Sequence, residues 1–314
     1  MTTENKTAMT PDLSVNFAGV TLRNPIVTLS GTCGTGIEYE DYYKVNEIGA
    51  ISVKGMTLEA RNGNPPPRLA ETPAGMLNSI GLQNPGAEYF IKNSLPRLLK
   101  DDAIVMANIA GSTEEDYVKI AELMSNSGVH YLEMNISCPN VKHGGAAFGT
   151  DPVLIERLTR SVKEVSAVPV IVKLSPNVTD ITEMARAAVA GGADALSLIN
   201  TLLGMRINIR TRRPMLHNNV GGLSGPAIFP VALRMVWQVR KAVGKNVPIL
   251  GMGGVATAND AIEMLMAGAD TIGVGTAMFQ NPRAPIDIVE GIADFMRENN
   301  IAKVSDLVGT VEPW

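Results

Sequence analysis

The stretch PILGMGGVATANDAIEMLMAGADTIGVGT, from Pro248 to Thr276, holds two short apolar runs on either side of one amphipathic segment. The runs Pro248–Gly251 and Thr271–Val274 have the length of buried strands, and Ala258–Ala267 has the apolar spacing of a helix. A glycine turn follows each run. A strand, a crossover helix and a second strand form the unit of a parallel sheet, so the stretch predicts an α/β fold.

The same alternation continues through the rest of the chain. Strands are predicted at Pro25–Ser30, Ala50–Lys54, Ile104–Ile109, Tyr131–Ser137, Val168–Leu174, Ala195–Ile199, Pro248–Gly251 and Thr271–Val274. Helices are predicted at Tyr39–Glu47, Gly86–Leu99, Thr113–Ser125, Asp151–Glu164, Ile181–Ala190, Pro226–Val243, Ala258–Ala267 and Ala284–Glu298, with N-caps at Ser112, Thr150 and Thr179. Eight such units favour a closed (β/α)8 TIM barrel, although periodicity alone leaves a doubly wound open sheet possible.

Charge and cysteine content argue against several classes of protein. The net charge of −4 disfavours non-specific nucleic-acid binding and a polybasic membrane anchor. No apolar stretch approaches the ~18 residues of a membrane helix. The two cysteines are too few for an iron–sulfur cluster and make no disulfide framework, so a reducing cytoplasm is the expected compartment.

We expect residues 1–12 to form a flexible tail and residues 13–314 to form one domain. Three βα connections are too long for simple turns, namely 55–85, 138–150 and 200–225. All three follow the carboxyl ends of strands, which is where barrel enzymes keep their active sites. The third is basic, and its arginines are most simply a solvated surface or a face for a partner; they are Arg206, Arg210, Arg212 and Arg213.

The residues at the strand ends predict a site for a planar, anionic ligand that forms hydrogen bonds. They are Ser30, Lys54, Asn108, Asn135, Cys138, Lys173, Asn200, Thr201, Gly253, Gly254, Gly275 and Thr276. Glycine turns after strands seven and eight favour a phosphate of a mononucleotide, since neither turn matches a dinucleotide or nucleoside-triphosphate loop. The alternative is that both are ordinary tight turns. Either glycine turn considered alone would favour this alternative over a phosphate site.

Two lysines interrupt otherwise apolar strands, Lys54 in the second and Lys173 in the fifth. A buried charge is costly without a partner, and a cation here would stabilise a reduced flavin. The alternative is a lysine whose head reaches solvent at the barrel rim. Asparagine amides can both donate to and accept from the edges of a heterocycle, and the alternative is that they cap loops. The candidates are Asn78, Asn108, Asn135, Asn140 and Asn200.

Cys138 is the candidate base. An unperturbed thiol has a pKa of ~8.5, and Lys142 or His143 in the same glycine-rich loop could lower it. The alternative is a small buried apolar residue, which is the interpretation favoured for Cys33. The histidines, at 130, 143 and 217, lack metal-ligand spacing, so no metal site is predicted.

Three segments together resemble class 1 dihydroorotate dehydrogenases: Asn135–Asn140, Asn78–Asn84 and Val172–Pro176. Two more, Asn200–Met205 and Gly221–Pro226, resemble the NAD-linked, two-subunit branch, class 1B. The similarity covers nearly the whole chain from residue 13. It implies an FMN enzyme that oxidises (S)-dihydroorotate to orotate in de novo pyrimidine biosynthesis.

The resemblance also implies roles for individual residues. Cys138 would remove the C5 proton, the C6 hydride would pass to flavin N5, and Lys54 would contact both flavin and substrate. Implied substrate contacts are Lys54, Asn78, Ser79, Ile80, Gly81, Leu82, Asn135, Asn140, Asn200 and Thr201. Implied flavin contacts are Ser30, Lys54, Gly55, Asn108, Asn135, Lys173, Ile199, Gly225, Gly253, Gly254, Gly275 and Thr276.

In class 1B a second subunit carries FAD and a [2Fe–2S] cluster and passes electrons to NAD. The resemblance therefore implies a heterotetramer of two catalytic and two electron-transfer subunits around a homodimeric core. Two positions depart from the family pattern. Gly55 stands where a small residue with a side chain is expected, and Cys33 stands where a bulkier residue is expected.

Three alternatives stay open at this point. A dihydropyrimidine dehydrogenase-like unit would act on uracil or thymine, which lack the carboxylate. A fumarate-dependent class 1A homodimer is disfavoured by the segment after Asn200. A non-catalytic barrel that binds flavin or a pyrimidine is disfavoured by Cys138.

Overall fold

A closed barrel of eight parallel strands forms the core of the computed structural model, which describes residues 10–136 and 148–314. In chain order the barrel strands are Ile26–Thr28, Ala50–Met56, Val105–Ile109, Tyr131–Asn135, Val170–Lys173, Ala195–Leu198, Ile249–Met252 and Thr271–Val274. Each pairs with its neighbours in sequence, and the eighth pairs with the first through Val274 opposite Thr28. The predicted (β/α)8 barrel is confirmed, because an open sheet would leave two unpaired edges.

Helices cover the outside of the barrel. They are α1 (Ala87–Asn93), α2 (Leu95–Lys100), α3 (Glu114–Ser125), α4 (Pro152–Val165), α5 (Ile181–Ala190), α6 (Phe229–Val243), α7 (Ala258–Ala267) and α8 (Ala284–Glu298). Short 3₁₀ turns stand at Val45–Glu47, Phe148–Thr150, Pro226–Ile228, Thr276–Phe279 and Val304–Leu307. Within the described ranges, no helix is both long and apolar enough to cross a membrane.

The predicted helix at Tyr39–Glu47 is wrong. This segment forms turns followed by a single 3₁₀ turn. Two of its carbonyls bond to distant groups, since Arg283 donates to the Tyr42 carbonyl and Asn24 donates to that of Glu47. Tertiary contacts therefore override the local apolar spacing.

Two predicted helix boundaries also need correction. The helix predicted at Gly86–Leu99 is divided at Ser94 into α1 and α2, since Pro96 has no N–H to continue the helical ladder. The caps lie one residue after the predicted Ser112, Thr150 and Thr179. Thr113, Asp151 and Asp180 have extended backbones, and their side chains accept from the helical N–H groups of Asp116, Val153 and Thr182.

Two of the long connections are not irregular loops, because their strands pair with each other. Gly75–Asn78 lies between Leu69–Thr72 and Gly221–Ser224, and Leu202–Gly204 adds the outer strand of this antiparallel sheet. A further ribbon joins Ile207–Asn208 to Arg213–Pro214. The four arginines of the third connection are exposed, as the solvated-surface interpretation expects.

The amino-terminal hairpin, Val15–Phe17 with Val20–Leu22, closes the opposite end of the barrel. Phe17 is fully buried, packs edge-on against Tyr131 and accepts a 2.7 Å hydrogen bond from the Tyr131 hydroxyl. Tyr131 begins the fourth strand, so the hairpin seals the amino ends of the strands. The open face is the carboxyl one, where the predicted site residues that the structure describes lie.

Candidate active site

A buried carboxylate organises the interior of the barrel. Glu133 of the fourth strand is fully buried. Its Oε2 accepts from Ser52 Oγ at 2.9 Å and from Asn108 Nδ2 at 2.6 Å, and its Oε1 accepts from Ser197 Oγ at 2.8 Å. Lys173 Nζ lies 4.0 Å from Oε2. Five neighbouring strands, the second to the sixth, each contribute one polar side chain to this cluster.

Of the two predicted lysines, Lys173 is the buried one. Only 6% of Lys173 is exposed, so its ammonium group stays inside the barrel and does not reach solvent at the rim. Lys54 is half-buried in the second strand, where its backbone N–H donates to the Gly34 carbonyl at 2.7 Å. Both cations lie in the barrel strands themselves, as the sequence predicted.

Asn108 carries an acceptor without a partner. Its Nδ2 is bonded to Glu133, while its Oδ1 is buried and has no hydrogen-bond partner. A Cβ added at Gly55 would lie 2.7 Å from that Oδ1 and 3.4 Å from Leu82 Cδ2. Glycine at position 55 therefore leaves the space beside this acceptor open.

Three of the predicted amides, Asn78, Asn135 and Asn200, form a row along the carboxyl face. Asn200 Nδ2 donates to Asn135 Oδ1 at 3.4 Å, and Asn78 Nδ2 donates to the Gly222 carbonyl at 3.3 Å. A Cβ on Gly222 would lie 2.0 Å from Thr201 Oγ1, so Thr201 lies directly against this glycine. The antiparallel sheet thus brings Asn78 from the first connection next to Asn200 and Thr201 from the third.

The segment Ser79–Leu82 is held by Asn64. The Asn64 backbone N–H donates to the Ile80 carbonyl, and its side-chain amide donates to the Ser79 carbonyl, both at 2.9 Å. Gly81 has a φ of +75°, and a Cβ there would lie 2.7 Å from the Asn64 nitrogen. Only glycine fits this turn, so the segment has a fixed shape at the mouth of the barrel.

The glycine turns after strands seven and eight meet at one place. Gly225 and Gly254 have φ values of +96° and +81°, and a Cβ on Gly254 would lie 2.8 Å from the Gly225 carbonyl oxygen. Gly253 approaches Ile199, and Thr276 Oγ1 donates to Ser224 Oγ at 2.8 Å. The 3₁₀ turn before α6 begins here, but its N–H groups are already bonded, since Ala227 donates to the Ala74 carbonyl and Ile228 to the Gly225 carbonyl. The glycine turns, which lack side chains, are therefore the feature that leaves room for an anion.

Two further predicted residues flank these turns. Ser30 is buried just after the first strand, where the Leu29 N–H donates to the Val274 carbonyl at 3.1 Å. Gly275 begins the 3₁₀ turn after the eighth strand and lies against Leu29 and Thr32. Strands one and eight therefore approach the same side of the site.

Cys138 and Asn140 lie outside the described residues, as do Lys142 and His143. Cys33 is buried, and its Sγ donates to the Ser52 carbonyl at 3.0 Å. Burial raises the pKa of Cys33 to about 12. The interpretation of Cys33 as a small, buried, unreactive residue agrees with these contacts.

Sequence reasoning missed Glu133, Ser52 and Ser197. The signal was present for Glu133, because it is a charge inside the buried strand Tyr131–Asn135, as Lys173 is in its own strand. The two serines gave no signal, since small polar residues occur in many buried strands. Across residues 10–136 and 148–314, no group of three or more His, Cys, Asp or Glu side chains could hold a metal ion.

The fold and the face just described define a class: barrel proteins that bind a phosphorylated, planar cofactor at the carboxyl ends of their strands. The model of the dihydroorotate dehydrogenase family matches residues 12–296, and the chain belongs to this family.

Relatives agree with this family, and a solved structure has the same fold. The chain is 55% identical to the Alkaliphilus oremlandii protein named dihydroorotate dehydrogenase B (NAD(+)), catalytic subunit, over 95% of this chain and 98% of that one. The Enterococcus faecalis protein of the same name is 52% identical over 95% and 96%. A dihydroorotate dehydrogenase from Eimeria tenella, solved with ferulenol, has the same fold, with a TM-score of 0.80, 21% identity and coverage of 99% and 91%. The predicted resemblance to the NAD-linked branch is confirmed.

Proposed function

We propose that this chain is the FMN-binding catalytic subunit of an NAD-linked dihydroorotate dehydrogenase, and that it oxidises dihydroorotate to orotate in pyrimidine biosynthesis. The names of its relatives and its own family support the reaction. The observation that carries the proposal is the joint presence of a buried cation, an unpartnered amide oxygen and a glycine cradle on one face.

The site fits FMN. The buried Oδ1 of Asn108 needs a donor, which an N–H of a flavin ring can supply. The converging glycine turns leave room for a phosphate close to the backbone. We propose that FMN is held by Ser30, Lys54, Gly55, Asn108, Asn135, Lys173, Ile199, Gly225, Gly253, Gly254, Gly275 and Thr276.

The substrate would lie across the row of amides. Dihydroorotate has a carboxylate, for which Lys54 is the nearby cation, and an imide edge, which amides can both donate to and accept from. We propose that it is bound by Lys54, Asn78, Ser79, Ile80, Gly81, Leu82, Asn135, Asn140, Asn200 and Thr201. Glycine at 81 and the Asn64 bonds preset the segment that meets the carboxylate.

We assign Cys138 as the base that accepts the C5 proton. Bound FMN supplies the acceptor for the hydride that leaves C6, so that a C5–C6 double bond forms. Lys54 holds the substrate carboxylate, and the amides hold the ring in place while the proton moves to the thiolate. Lys173, buried below them, supplies positive charge where the reduced cofactor gains negative charge.

We further propose one catalytic domain over residues 13–314. The relatives of this chain are named catalytic subunits, which implies a separate electron-transfer subunit. That partner would carry FAD and a [2Fe–2S] cluster and return electrons to NAD. Two copies of each chain would form the heterotetramer around a homodimer of this chain.

An anaerobic half-reaction tests the proposal. The purified chain should carry a yellow flavin, and dihydroorotate should bleach it. Dihydrouracil should leave it oxidised, because it lacks the carboxylate that Lys54 and Ser79–Leu82 are proposed to bind. A flavin that bleaches with dihydrouracil alone would point to the dihydropyrimidine reaction, and a chain without flavin would refute the proposal.

A further inference from the structure

The proposed reaction gives no role to Glu133, although it is the centre of the polar cluster in the barrel. The side chain is fully buried beside Asn108 and Lys173, two of the predicted cofactor residues. A buried carboxylate is costly unless its oxygens are bonded, and here Ser52, Ser197 and Asn108 donate to it. A residue kept at this cost needs an account beyond packing.

The carboxylate fixes which way the Asn108 amide points. A carboxylate only accepts hydrogen bonds, so the group of Asn108 that faces Glu133 must be the donor Nδ2. The acceptor Oδ1 is then directed away from Glu133, into the open space beside Gly55. Without the carboxylate, the amide could rotate and present its donor to the ligand instead.

The same carboxylate partly balances the charge of Lys173. The two charged groups are 4.0 Å apart, and both lie in the interior, where screening by water is weak. The positive charge that Lys173 offers to a ligand is therefore the ammonium charge offset by a fixed negative neighbour.

We propose that Glu133 is a positioning residue for the flavin: it holds the Asn108 oxygen toward the ring and lowers the positive field of Lys173. This inference rests on the proposed function, since it takes FMN as the ligand. Glu133 touches neither cofactor nor substrate in this account, and it acts only through Asn108 and Lys173.

The test is Glu133→Gln, measured by FMN titration and by the reduction potential of the bound flavin. Loss of the negative charge leaves Lys173 less balanced, so binding of the anionic reduced flavin should strengthen relative to the oxidised form by about tenfold. This equals an upward shift of about 30 mV for two electrons. FMN affinity should fall, because a glutamine amide can donate as well as accept and so no longer forces Asn108 to present its Nδ2.

Two further variants make the test decisive. Glu133→Asp keeps the charge but shortens the reach, so the potential should stay near that of the parent chain while FMN affinity still falls. Glu122→Gln, on the exposed side of α3, should change neither quantity. If Glu133→Gln does not fold, the aspartate variant alone decides.

Failure of the proposed function and failure of the proposed role of Glu133 give different results. A parent chain that binds no flavin refutes the proposed function itself. A parent chain that binds FMN, with unchanged affinity in the aspartate variant and unchanged affinity and potential in the glutamine variant, overturns the role of Glu133 and leaves the function intact.

Discussion

At the scale of the residue, the two cysteines have opposite expected properties. Cys33 is buried, and burial raises its pKa to about 12. Its thiol therefore stays protonated at neutral pH and cannot act as a base. Since its folded pKa lies above that of an ordinary thiol, its contribution to stability is complete below the ordinary thiol pKa and is lost as the pH rises toward 12.

Replacement of Cys138 by Ala should leave FMN bound and reduce the rate of flavin bleaching by dihydroorotate roughly 10²–10⁴-fold, since a positioned base contributes about that much. Stopped-flow reduction measures it. Cys33→Ala is the matched control and should retain most of the rate. An unchanged rate in the Cys138 variant would show that another group removes the proton.

At the scale of the element, the turn after the seventh strand forms one side of the predicted phosphate site. Gly254→Ala should weaken FMN binding by tenfold or more, about 1.4 kcal/mol, because the added methyl would lie 2.8 Å from both the Gly225 carbonyl and the Phe229 nitrogen. Gly244→Ala, at the end of α6, has a similar φ of +76° but nothing within 4 Å. With a ψ of −171°, Gly244 lies in a region that essentially only glycine adopts, so the substitution should cost about 1–3 kcal/mol of stability through strain alone.

Isothermal titration of FMN into the two variants separates these effects. Equal FMN affinity in the Gly254 variant and the parent chain would contradict the placement of the phosphate at this turn. Weakened FMN binding in the Gly244 variant would show that strain anywhere in the barrel is sufficient.

At the amino ends of two strands, an aspartate makes the same two contacts, one with a backbone N–H and one with a cation. Asp270 Oδ2 accepts from the Ile249 N–H at 2.7 Å and pairs with Arg240 of α6. Asp194 accepts from Val170 and pairs with Lys163 of α4 in the same manner. Each aspartate ties a neighbouring strand to the helix outside it, on the face opposite the site.

Asp270→Asn should destabilise the fold by about 3–5 kcal/mol, because Arg240 is largely buried and would lose its counter-charge. Burial raises the pKa of Asp270 despite that arginine, so the intact pair is itself costly to bury. Asp194→Asn is the control, whose half-exposed pair should cost less than about 1 kcal/mol. Urea unfolding measures both; equal losses would contradict the argument from burial.

At the scale of the whole molecule, the amino end of the barrel contributes to stability and the carboxyl end carries the candidate site. The amino end is sealed by the Phe17 hairpin and tied by the aspartate pairs, whereas the carboxyl end carries the lysines, amides and glycine cradle. Substitutions at the two ends should therefore separate into stability and activity effects.

In the chain without its partner, dihydroorotate should reduce the bound flavin, but the reduced flavin should fail to reduce NAD⁺. Its two cysteines cannot supply the four ligands of a cluster, and we propose that electrons leave through a partner subunit. Anaerobic mixing of the reduced chain with NAD⁺, followed at the NADH absorbance, measures this. An artificial dye is the positive control, and rapid NADH formation by the chain alone would contradict a required partner.

The sequence by itself determined the alternation of strands and helices and the cation in the fifth strand, since period, length and a charge in an apolar run are local signals. It favoured the barrel but left an open sheet possible. Even the misplaced helix at Tyr39–Glu47 had that local signal, which distant bonds from Arg283 and Asn24 override.

Only the tertiary structure decided how the pieces meet. The pairing of Asn78 with Gly222 joins two connections more than a hundred residues apart, and no local pattern encodes such a register. The orientation of the Asn108 amide likewise depends on Glu133 from the next strand. Sequence patterns report what each segment prefers, whereas hydrogen bonds between segments depend on the closed barrel that brings them within reach.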